Sequence, residues 1–165
     1  MPNLCEQLER CFQGRVCLMG LGNREHGDDS FGVRLTEALL CAGIGNSQYQ
    51  VIVADTRPER FIGRVAEAGF DHLIFVDAVD FGGAPGSIVF LNSEEMASRF
   101  PQISTHQVSL GLLAHWAESG GTTQAWLLGA QPESLRPSDE LTPRVQAAFE
   151  LLRELLADVS TEVCA

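Results

Sequence analysis

Three short apolar runs constrain this chain most: RVCLMG at residues 15–20, QVIVAD at 50–55 and HLIFVD at 72–77. Each lacks period-two alternation and stops at a glycine or an aspartate, the pattern of a strand covered on both faces. The segments between them have helical spacing. Phe31, Val33, Leu35, Leu39 and Leu40 follow a loop at 21–29 and end at Gly43 and Gly45, and residues 58–68 form the next helix. Strands alternating with helices require right-handed crossovers and a largely parallel sheet.

The remaining segments extend this frame. Leu4, Leu8, Cys11 and Phe12 predict an amphipathic helix within residues 1–13. The turn-rich FGGAPG at 81–86 is short, so SIVFL at 87–91 is expected to return antiparallel beside its predecessor and make the sheet mixed. A polar loop through Thr105, a helix near 107–118, a strand at 123–128 and a helix at 143–157 capped by Thr142 complete the chain. A length of 165 residues predicts one domain, with an α/β core at 15–157 and a flexible tail at 158–165.

Composition removes several function classes. Eleven basic against 22 acidic residues give a net charge of -11, which repels a phosphate backbone, so nucleic acid is not expected as a partner. All basic residues are arginine, which excludes a Schiff-base lysine and a P-loop lysine. Cys5, Cys11, Cys17, Cys41 and Cys164 form no C-x-x-C pair and are odd in number, so they read as reduced thiols. No apolar run reaches membrane-span length and the N-terminus lacks a signal-peptide pattern, so a cytoplasmic protein is expected.

In an open α/β sheet, ligands bind beyond the carboxyl ends of the strands. GLGNREHGDD follows the first run, the second ends at Asp55, and the third ends at Asp77 with Asp80 close behind. A single strand-terminal aspartate is more often a turn former or helix cap, and Asp28 and Asp29 also suit a helix N-terminus on dipole grounds. Carboxylates at three strand ends together favour a metal or a cationic substrate. Among the histidines, His72 begins a strand and His115 lies within a helix. His26 lies in the first loop, and His106 in STHQV is best placed to point into a cleft. The Gly20-Leu-Gly22 pair is a poor nucleotide signal, because Glu25 stands where a third glycine would be.

Residues 20–39, GLGNREHGDDSFGVRLTEAL, resemble the opening of the hydrogenase maturation endopeptidases: Gly-x-Gly-Asn, a loop, a paired acid, then a Gly-Val-Arg helix start. The similarity continues in order through Asp55, LIFVDAVDFGGAPGSI at 73–88, STHQVSL at 104–110 and LLGAQPESLRPSDELTPRV at 127–145. The resemblance implies a three-layer α/β sandwich of the phosphorylase/hydrolase-like type, with a five-stranded, mostly parallel mixed sheet flanked by helices. It also implies an endopeptidase that removes the C-terminal extension of a nickel-iron hydrogenase large-subunit precursor after nickel insertion. Carried over by position, the metal-contacting carboxylates are Asp29 and Asp77, the metal-contacting histidine is His106, and Asp55 is the catalytic candidate. The resemblance further implies that the nickel is supplied by the substrate, and the resting protein is expected to be metal-free.

Two departures stand out: Asp55 precedes Thr56-Arg57-Pro58 where many members have Asp-Gly-Gly, and Ser30 replaces a frequent glycine. A monomer is expected, and no substrate-binding residue is assigned. Two alternatives compete. A peptidyl-tRNA hydrolase-like esterase shares GLGN after the first strand, but its neighbouring Pro-Gly and its Arg-His-Asn segment are missing. A non-catalytic hydrogenase assembly chaperone would share the acids without cutting.

Overall fold

The computed structural model describes residues 1–99 and 109–162. The elements are α1 (Leu4–Phe12), β1 (Val16–Leu21), a single 3-10 turn (Gly27–Ser30), α2 (Phe31–Cys41), β2 (Tyr49–Asp55), α3 (Glu59–Glu67), β3 (His72–Ala78), β4 (Ile88–Asn92), α4 (Ser93–Arg99), α5 (Leu110–Glu118), β5 (Gln124–Ala130) and α6 (Pro143–Glu162). The five strands run in the order β2-β1-β3-β5-β4, with β4 antiparallel to β5 and every other pairing parallel.

Alternation along the central strands sorts the core into two halves. Val16 and Leu18 of β1, with Ile74 and Val76 of β3, face α1, α2 and α6 through Leu8, Phe12, Leu35, Leu39 and Leu152. Cys17, Met19 and Leu21, with Leu73 and Phe75, face α3, α4 and α5 through Ile62, Val65, Met96, Leu113 and Ala117. Both faces are therefore covered, which is why β1 reads as an unbroken apolar run. The four cysteines among the described residues are free, and burial pushes the Cys11 and Cys17 thiols up to about 12, leaving them protonated and unreactive.

Four sequence expectations need correction. SIVFL does not pair with the strand before it, because β5 takes the place beside β3 and β4 pairs outside β5. The connection after β3 steps over the end of β5 instead. There the Gln131 side chain accepts from the backbone N–H groups of Phe81 (2.9 Å) and Gly83 (3.1 Å) and donates to Asp80 (3.0 Å). That bond, with the Gly82 N–H, holds the Asp80 carboxyl below its ordinary range. Part of the expected polar loop is the helix α4, closed at its start by Asn92, which accepts from the Glu95 N–H (2.8 Å). Helix α5 begins at Leu110 with Ser109 as its cap, rather than near residue 107. Helix α6 runs through Glu162, so residues 158–162 of the expected tail are helical, with Val159 and Ser160 buried.

No helix among the described residues is long and apolar enough to cross a membrane. At the amino edge of the sheet, the Trp126 indole N–H donates to His72 Nδ1 (3.0 Å), and Phe90 stacks on the Trp126 ring at 4.8 Å. Burial lowers the His72 pKa from 6.5, an effect opposed by Asp71. A histidine kept neutral on folding binds fewer protons than the unfolded chain, so its contribution to stability is present above pH 6.5 and is lost as the pH falls below it. Denaturant titrations between about pH 8 and pH 5.5 should show wild type losing stability on acidification. His72→Gln, which can still accept from Trp126, should lose less, and equal losses would show that His72 is not the titrating group.

Candidate functional site

The chain turns outward from β1 in opposite directions, toward β2 on one side and β3 on the other. This is a topological switch point, and the crevice beyond the carboxyl ends of β1 and β3 is where such sheets bind ligands. Asp77 closes in from β3 on the same face as Phe75, and is 1% exposed. Its partner across the β3–β5 ladder is Gly129, which adds no side chain beside it. Asp29 arrives from the other side, in the turn that leads into α2.

Two glycines set that approach. A β-carbon at Gly32 would lie 1.9 Å from the Val76 carbonyl oxygen and 2.5 Å from that of Leu21, so α2 rests directly on the ends of β3 and β1. One at Gly22 would lie 1.9 Å from the Asp29 carbonyl oxygen, which is why the loop can fold back over the turn. The Gly-x-Gly that reads poorly as a nucleotide motif therefore serves close packing.

The neighbouring acids Asp28 and Asp29 have different surroundings. Asp28 is completely buried. Its Oδ2 accepts from the N–H groups of Glu133 (2.9 Å) and Ser134 (3.1 Å) and from the Thr142 hydroxyl (2.8 Å), while Oδ1 accepts from the Thr142 N–H (2.8 Å). Asp28 thus ties the segment before α6, up to Thr142 at its threshold, to the β1 loop. Arg34 adds a second tie, donating to Ser30 Oγ (2.6 Å) and to the Asp139 carbonyl oxygen. Asp29 has a single hydrogen bond through Oδ2, from the Asn23 backbone N–H (3.1 Å), and its Oδ1 is buried with no hydrogen-bond partner among the described residues. Neither acid's side chain caps α2.

Asp55 ends β2 on the same edge, one strand beyond β1. It adopts φ 53°, the one non-glycine among the described residues in the left-handed region, which aspartate tolerates better than most side chains. Arg24 Nε donates to Asp55 Oδ1 (2.8 Å), and Arg24 also pairs with Glu37. The sequence assigns Asp28 only a helix N-terminus role and Arg24 none, because their partners lie on other elements, up to 114 residues away for Asp28.

His106 lies outside the described residues. Helix α5, which follows it, is oriented by its far end. Glu118 accepts from the Ala125 N–H (2.9 Å) and the Ser93 hydroxyl (3.0 Å) at the amino edge, so Ser109 and Leu110 stand at the carboxyl edge with Asp77. His72 lies at the amino end of β3, away from this edge, and His115 is exposed on α5. His26 precedes the 3-10 turn and bridges to Ser138. Among the described residues no three histidine, cysteine or acidic side chains are close enough to hold a metal by themselves.

A mixed α/β sheet with acids gathered at its switch point defines an open-sheet α/β protein with a ligand-binding edge. The hydrogenase maturation protease (HycI) family model matches residues 33–159, and the chain belongs to that family of peptidases. The Hydrogenase 2 maturation protease of Escherichia coli is 34% identical over 148 residues, spanning 87% of this chain and 89% of that protein. Among solved structures, the [NiFe] hydrogenase maturation protease HycI of Thermococcus kodakarensis superposes with a TM-score of 0.82 at 29% identity, covering 94% of this chain and 99% of that one. The hydrogenase maturating endopeptidase HybD of E. coli gives 0.71 at 32% identity, covering 88% and 89%. The expected five-stranded α/β fold and the protease reading both agree with these likenesses.

The contrast between the two acids predicts opposite effects on stability. Asp28→Asn turns one acceptor into a donor facing N–H groups and should lose about 2–4 kcal/mol. Asp29→Asn keeps the Asn23 bond and removes a partly buried charge, so it should be neutral or stabilising, within about 1 kcal/mol of wild type. Urea denaturation measures both. Equal losses would mean that Asp29 is a structural residue like Asp28.

Proposed function

We propose that this protein cuts the C-terminal extension from the large-subunit precursor of a nickel-iron hydrogenase, recognising nickel that the precursor already holds. The observation that carries the reading is the pair of acids at the switch point: buried Asp77, and partly buried Asp29, whose Oδ1 is buried with no hydrogen-bond partner among the described residues. A buried carboxylate oxygen left in this state is costly unless a cation meets it. Family membership supplies the rest, since the relatives named above are hydrogenase maturation proteases.

In this reading Asp29 and Asp77 give two oxygen ligands and His106 the nitrogen, a set that suits nickel better than magnesium and leaves positions for the precursor's own ligands. Docking of the nickel on the carboxyl edge fixes the precursor there, so the scissile peptide is presented to water in one orientation. Hydrolysis adds water across that peptide bond, giving a new carboxylate on the large subunit and a free amine on the released extension. The protein works in the cytoplasm as a monomer that carries no metal between turnovers.

Incubation with nickel-loaded and nickel-free precursors, followed by mass measurement of the released peptide, tests the reading. Release from the nickel-loaded precursor alone is the expected result. Release from both would remove nickel from recognition, and stable binding without release would make the protein an assembly chaperone. His106→Gln, which keeps hydrogen bonding but is a poor nickel ligand, should lose cleavage, whereas His115→Ala should keep it. Peptide release by His106→Gln near the wild-type rate would take His106 out of the ligand set.

A further inference from the structure

Arg24 stands at the centre of a linkage that the proposed nickel ligands do not explain. Its guanidinium meets Asp55 at the end of β2 (2.8 Å) and Glu37 on α2, so one side chain joins the β1 loop to the elements on either side of it. The loop is also tied by main chain at both ends. The Gly22 N–H donates to the Asp55 carbonyl oxygen (2.9 Å), and the Ser138 N–H donates to the Glu25 carbonyl oxygen (3.1 Å). Between these ties, the Asn23 N–H makes the hydrogen bond that orients Asp29, and Asn23 Oδ1 accepts from the Glu25 N–H (3.0 Å) to tighten the turn.

We infer that Arg24 and Asp55 together form a positioning clamp. By holding the loop against the end of β2, they keep the Asn23 N–H on one oxygen of Asp29 and so leave the other oxygen to face the cation. Asp55 then acts through Arg24 and not on the scissile peptide. The left-handed backbone of Asp55 fits this role, because it turns the residue so that its carbonyl oxygen receives Gly22 while its carboxylate receives Arg24. Both side chains are about half exposed, 50% for Arg24 and 45% for Asp55, and ion pairs of that kind contribute little to global stability. Loss of the clamp should therefore disturb the loop and leave the fold intact.

The test has a structural arm and a kinetic arm, and only the kinetic arm rests on the proposed cleavage reaction. In full-length protein, Arg24→Gln should speed amide hydrogen exchange at Asn23 by about tenfold or more while core-strand amides stay protected. Unchanged protection at Asn23 would overturn the clamp, whatever the activity. With nickel-loaded precursor, Arg24→Gln and Asp55→Asn should each lower kcat by about tenfold to a hundredfold with little change in KM. The double variant should be no worse than either single one, and Arg24→Lys should recover part of the rate. A wild-type rate in Arg24→Gln, or a loss in Asp55→Asn far beyond it, would also overturn the inference, the second by making Asp55 act directly on the reaction. If wild type released no peptide from nickel-loaded precursor, the cleavage reading would fail and the Asn23 exchange rate would still decide the clamp.

Discussion

The first turn of α2 lies against the ends of β1 and β3 so closely that Gly32 has no room for a β-carbon, with the Val76 carbonyl oxygen 1.9 Å from where it would be. Both proposed nickel-binding carboxylates depend on this contact. Asp77 is the residue after Val76, and Asp29 lies three positions before Gly32. Gly20 extends the contact along β1, where a β-carbon would meet Thr36 Oγ1 at 2.0 Å, and that hydroxyl is itself buried and donates within α2 to the Gly32 carbonyl oxygen (2.9 Å). Helix and strands meet backbone to backbone here, so a small shift of α2 would move Asp29 relative to Asp77.

Around this contact, the adjacent aspartates divide structure from function. Asp28 gathers donors from the segment before α6 and so fixes the loop that closes the far side of the edge. Asp29 is held by one amide and keeps a buried oxygen without a hydrogen bond among the described residues, the kind of local stability deficit found where a protein keeps a position for a ligand. The two longest segments of family resemblance, at 20–39 and 127–145, are the two that Asp28, Arg34 and the His26–Ser138 bridge join. Their relation in sequence is distant, and their relation in the molecule is direct contact.

Much of this was legible from sequence because the deciding signals were local. The apolar runs of β1, β2 and β3 carry their own strand signature, and carboxylates at strand ends are identified as edge residues once the sheet is known to be parallel. The place of β4 was not legible, since pairing outside β5 depends on a strand that comes later in the chain. Helix α4 escaped because SEEMASR offers one buried apolar residue, Met96, too few to show a period. Asp28 does lie at the entry to α2, but its distant partners were not legible, because periodicity does not encode the backbone N–H groups of a loop 105 and 106 residues away. The same reason hid Arg24, an exposed arginine in sequence that proves to bridge two acids from separate elements.

Asp29 and Asp77 are proposed to meet the nickel held by the hydrogenase precursor. Nickel K-edge X-ray absorption of the nickel-loaded precursor, alone and with an equal amount of this protein in a slowed His106→Gln form, addresses this proposal directly. The expected result is added oxygen scattering around nickel in the complex, absent when Asp29→Asn and Asp77→Asn are introduced together. A nickel spectrum that stays the same on binding, with the complex formed and both aspartates intact, would contradict it.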